Sequence, residues 1–126
     1  MKAYLKKTTK EHYGIFKEEC NKWIDYWGLH GWEVTFRHEH MEDARATACF
    51  NSLEDRQVTL ALAIEWTERD GLCEKAIREV AFHETEELRY ARIEFLAKQR
   101  FVQPSEIREE IHNLIQQDRK RIFLGE

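Results

Sequence analysis

From Leu72 to about Lys98 the chain reads as one long helix, and that helix carries charge where a core-facing surface should carry none. At about 100° per residue, Ile77, Ala81, Leu88, Ala91 and Phe95 share one apolar stripe. Glu84 falls inside the stripe, between the directions of Ile77 and Ala91, while His83 and Glu87 run along its edge beside Val80. A carboxylate buried without a partner is expensive, and proteins resolve the cost by pairing, protonation or a bound cation. Any fold built on this helix must bury the stripe and also answer the three ionisable groups.

The rest of the chain supplies partners for the stripe. Thr8-x-x-Glu11 has the form of a capping box and predicts a first helix carrying Tyr13, Phe16, Cys20, Trp23, Ile24 and Trp27, which stops at Gly28. Three strands are predicted next. Trp32 to Arg37 alternates apolar and polar residues, Ala46 to Phe50 is a shorter run, and Gln57 to Ile64 is rich in β-branched residues. Asp70, before Gly71, reads as the N-cap of the long helix, and Pro104-Ser105 opens a last helix whose apolar face holds Ile107, Ile111, Leu114, Ile115 and Ile122. The expected architecture is α+β, a single domain over residues 1–126. A small antiparallel or mixed three-stranded sheet packs against an N-terminal, an active-site and a C-terminal helix.

Composition narrows the function classes. A net charge of -4 gives no general attraction to nucleic acid or to an anionic membrane, and no nucleic-acid-binding motif is present. No run is long and apolar enough to span a bilayer, and the first residues lack the apolar core of a signal peptide. Cys20, Cys49 and Cys73 are odd in number and form no C-x-x-C pair, which points to reduced thiols and a cytoplasmic protein.

The chemistry concentrates at Ala81-Phe-His-Glu-Thr-Glu-Glu-Leu. Positions i and i+4 of a helix face the same way, so His83 and Glu87 can reach one metal ion. Glu84, one step round, can contact the attacking water as general base. A third ligand is expected from the last helix, where Glu110 flanks Leu114 at the edge of the apolar face and Glu109 points away. The plainer expectation is that Glu84 and Glu87 pair with Arg78, Arg89 or Arg92. His38 and His40 have the spacing of a second metal pair, but an exposed strand end explains them better.

Taken in order, the tryptophan-bearing first helix, Trp27-Gly-Leu-His-Gly-Trp32, the strand at Gln57 to Ile64 and Ala81-Phe-His-Glu resemble the small phage and prophage metallopeptidase-like proteins, the minimal gluzincin group of the zincin-like fold. The resemblance spans about residues 13 to 118. It implies His83 as a metal ligand, Glu84 as catalytic base and Glu110 as the glutamate ligand, or Glu109 if the match slips by one. Glu87 stands where that family has its second histidine. The resemblance further implies zinc, with manganese favoured by the added carboxylate, a peptide or protein substrate, and a cleft bordered by the strand Gln57 to Ile64. A non-catalytic protein-interaction module that keeps the fold without the metal is the alternative.

Overall fold

Thr8 and Thr9 divide the work at the start of the first helix. The computed structural model describes residues 5–99 and 103–125. Helix α1, Lys10–Trp27, is capped by Thr9, whose side chain accepts from the His12 amide while His12 Nδ1 accepts from the Thr9 amide at 3.0 Å. This is a capping box with histidine in the usual glutamate position. Thr8 is not the cap expected from the sequence because its hydroxyl is used elsewhere. It is buried, donates to the Ala63 carbonyl at 2.8 Å and lies 2.6 Å from His38 Nε2. Thr9→Ala is expected to cost about 1 kcal/mol in denaturant unfolding, with Thr9→Ser near neutral; an alanine variant of unchanged stability would remove the cap from this account.

α1 ends where expected. Gly28 takes φ +67°, and the amides of Gly28 and Leu29 return to the carbonyls of Asp25 and Ile24 at 3.2 and 2.9 Å. Left-handed backbone suits glycine, which has no Cβ to collide with the carbonyl.

Strand β1, Leu5–Lys7, pairs antiparallel with β5, Glu65–Thr67, and the remaining strands form a separate three-stranded sheet. In that sheet β4, Gln57–Ala63, is central. β2, Glu33–Glu39, runs parallel to it with Phe36 opposite Leu60. β3, Ala46–Ser52, runs antiparallel with Ala48 opposite Leu60, and its register shifts between Phe50 and Ser52. The mixed sheet agrees with the sequence reading, but the two-stranded β1–β5 ribbon was not foreseen. β4 cannot take up a further strand, because both of its edges are already paired. β2 and β3 are the edge strands of this sheet, and β3 is the one that lies against α2.

Helix α2 spans Glu74–Ala97 and is capped by Cys73, whose sulfur accepts from the Ala76 amide at 3.4 Å. Asp70 is not the cap; its Oδ2 accepts from the Thr67 amide and hydroxyl at 2.7 and 3.0 Å and closes a short 3-10 turn over Glu68–Asp70. Helix α3, Pro104–Phe123, opens on proline, where the missing amide costs nothing. No residue of α3 is fully buried, and Ile115, Ile122 and Phe123 are exposed.

The core lies between the sheet and the first two helices. Phe16, Cys20 and Ile24 of α1 meet Ile77, Ala81 and Leu88 of α2 over Val58, Leu60 and Leu62 from one face of β4. Trp66 is fully buried, with its indole N–H donating to the Arg45 carbonyl at 3.2 Å. Each large apolar side chain contributes roughly 2 kcal/mol by leaving water. Among the described residues no helix is long and apolar enough to cross a membrane.

Candidate metal centre

The third and fourth turns of α2 hold His83, Glu84 and Glu87 beside β3. Glu84 is 6% exposed, as its place in the apolar stripe requires. The His83 and Glu87 side chains are 68% and 50% exposed, and His83 Nε2 lies 3.3 Å from Glu87 Oε1. One ligand atom from each of the three residues lies within 4.8 Å of the others, and they form the one such group among the described residues.

Glu84 is the unusual member. Burial, and then the neighbouring Glu87 carboxylate, push its pKa up to about 7, against a smaller opposing pull from His83. The arginines expected as partners point elsewhere. Arg78 pairs with Glu19 at 2.8 Å and Glu74 at 2.9 Å, and Arg89 pairs with Asp118. The Glu84 charge is also felt across the helix interface, where burial first, then Glu84 and Glu19, raise the Cys20 thiol well above its ordinary range. That thiol contacts the Ala81 carbonyl at 3.9 Å and is a core group, not a nucleophile.

Two openings flank the cluster. One, of about 430 Å³, is bounded by His83, Glu84 and Val80 of α2 and by Asp43 to Ala46, the approach to β3. The other, of about 460 Å³, runs between α2 and β3, lined by Ala48, Phe50, His83, Glu87 and Tyr90. The free β3 edge, Arg45 and Tyr90 were not singled out in the sequence. Tyr90 had a readable signal, since residues 83, 87, 90 and 94 recur on one face of a helix.

Glu110 is not brought to this cluster. It lines a different cleft with Arg89 and Arg92. Arg92 is nine residues from His83, which turns it about 180° away on the helix. Glu109 is exposed. His38 is half-buried and stacks on Tyr13 at 5.0 Å, while His40 lies 3.2 Å from Glu65.

The donor set is one imidazole and two carboxylates on adjacent helical positions. A divalent cation fits it on two counts: it takes nitrogen and oxygen donors together, and it neutralises the buried Glu84 carboxylate, which makes no ion pair among the described residues. Compared with known protein families, curated proteins and solved structures, the chain matches none.

Proposed function

We propose that this chain is a metallopeptidase-like protein of zincin type that holds one divalent cation, zinc or manganese, against α2. His83 and Glu87 would be its ligands, with Glu84 beside the attacking water. The reading is supported above all by the convergence of three donor atoms within 4.8 Å, one of them on a buried carboxylate that makes no ion pair among the described residues. The cation would supply Lewis acidity towards a peptide carbonyl. Glu84, buried beside the two ligands, would accept a proton from water and return it to the leaving amine. The free edge of β3 borders the groove that holds His83 and Glu87, so an extended peptide can add there as a further strand. Glu110 lies outside this arrangement. Three free cysteines suit a cytoplasmic setting.

Two carboxylates leave less positive charge on a cation than two imidazoles, so hydrolysis is expected to be slow. Protein purified without chelator should carry about one equivalent of zinc or manganese by mass spectrometry, and His83→Ala should lose it. Glu87→His, which restores a second imidazole, should raise zinc affinity and peptide hydrolysis at least about tenfold. Absence of metal in the wild type after incubation with zinc would end this reading.

One observation favours a non-catalytic interaction module instead. Trp23 packs edge-on against Tyr26 and Phe82, and the latter two are exposed. That reading expects partner binding to survive His83→Ala.

A further inference from the structure

On the side of α2 turned away from His83, a cleft of about 390 Å³ opens between the turn after α1, the β3–β4 turn, α2 and α3. Arg56 enters it from the β3–β4 turn, Arg89 and Arg92 from α2, and Lys120 from α3; Glu110 is the one carboxylate among the described lining residues. In a chain of net charge -4, four cations converging from three segments form a local reversal of sign.

The ion pairs do not exhaust this charge. Arg89 is answered by Asp118 and, at 3.8 Å, by Glu86. Arg56, Arg92 and Lys120 make no ion pair among the described residues, and Arg92 instead lies over the Phe95 ring at 5.0 Å. The Nε–H groups of Arg89 and Arg92 are buried without an acceptor. Arg89 is itself more than nine-tenths buried. The unpaired charge of Arg56, Arg92 and Lys120 around one cleft favours an anionic occupant. The C-terminal end of α1, which would repel an anion, is already neutralised: Arg121 Nη2 donates to the Asp25 carbonyl at 2.7 Å.

The backbone makes room for the outermost cation. Arg56 holds a left-handed φ of +56° at the turn. A Cβ at Gly31 would lie 3.0 Å from Arg56 Nη1, so the guanidinium packs closely over this glycine.

We infer that this cleft binds a small organic phosphate. The phosphate group is held among Arg56, Arg92 and Lys120, and the organic part rests on Trp32 and Leu114, which share the cleft wall. A planar carboxylate is satisfied by a single guanidinium fork, whereas a phosphate has acceptors for donors arriving from several directions. The volume is in the range of small-molecule sites. Nothing in this inference depends on the metal centre across the helix.

The test uses the full chain, freed of metal so that a phosphate cannot bind through a cation on α2. Phenyl phosphate, titrated at constant ionic strength, should raise the unfolding temperature in a saturating manner, inorganic phosphate should do so more weakly, and benzoate should leave it unchanged. Arg56→Gln with Lys120→Gln, both exposed and so compatible with folding, should weaken phenyl phosphate binding at least about tenfold. Stabilisation by benzoate equal to that by phenyl phosphate, no saturable effect, or full binding by the double variant would overturn the inference.

Discussion

Glu84→Gln is expected to stabilise the metal-free protein at pH 8 by on the order of 3 kcal/mol and to reduce peptide hydrolysis at least about 100-fold. Both effects come from one carboxyl group. Its pKa is raised from 4.5 to about 7 by burial and then by Glu87, so the folded chain holds this proton more tightly than the unfolded chain does. The wild type therefore suffers no penalty from Glu84 below about pH 4.5, loses stability as the pH rises from there to about 7, and carries the full penalty above it. Glutamine keeps the shape and a donor towards Glu87 but never ionises. The pH dependence of unfolding should flatten between 4.5 and 7 in the variant. Zinc should narrow the difference, because the cation stabilises the ionised wild-type carboxylate. Denaturant titrations of both proteins at pH 5 and pH 8 decide the matter. Equal losses on going to pH 8 would mean that Glu84 is not held uncharged by its surroundings. Such a residue would trade stability for the ability to accept a proton, a trade common at functional sites.

The second large effect concerns the junction of the three helices. Asp118→Ala is expected to cost about 3 kcal/mol and Arg89→Met only about 1 kcal/mol, although the latter removes more polar atoms. The Arg89 side chain is 5% exposed, whereas that of Asp118 is 43% exposed. Removing the carboxylate leaves a guanidinium shut away from water, with Glu86 at 3.8 Å as its remaining anionic partner. Removing the guanidinium leaves Asp118, which water can still reach, and methionine can refill the space over the Trp27 ring, 3.7 Å from the present guanidinium carbon. The comparison belongs in phosphate-free buffer, since Arg89 also lines the basic cleft. A larger loss for Arg89→Met would show that packing on Trp27, rather than charge burial, dominates this junction.

The candidate site was readable to the extent that it is local. Three residues within one and a half turns keep their geometry in any α-helix, and the wheel alone placed Glu84 inward with His83 and Glu87 at the rim. Glu110 failed for the complementary reason: helical periodicity says which side of α3 is apolar, but not which side of α2 receives it. Arg89 was expected as a partner of Glu84 or Glu87, because nothing in the local pattern announces that Asp118, 29 residues on, closes over it. In the fold, β2, β3 and β4 were legible within two residues of their ends. β1 was not, because Leu5–Lys7 has no alternation and is exposed. The caps slipped by one and three residues where side chains compete. Thr8 and Asp70 both have cap chemistry, but each is committed to another hydrogen bond.

The placement of β4 also sets the order in which the sheet can form. β3 and β4 are joined by a short turn, with the Asp55 amide donating to Ser52 Oγ at 3.0 Å, so their hairpin closes locally and on the microsecond scale. β2 must wait for the strand beside it, since Glu33 pairs with Gln57, 24 positions further along the chain, and no hairpin can deliver a parallel partner. The loop-closure entropy of that pairing is recovered only when α1 and α2 cover the finished sheet. Amide exchange in β2 should accordingly run ahead of that in β3 and β4. The hairpin that borders α2 would then be the part of the sheet that outlasts partial opening.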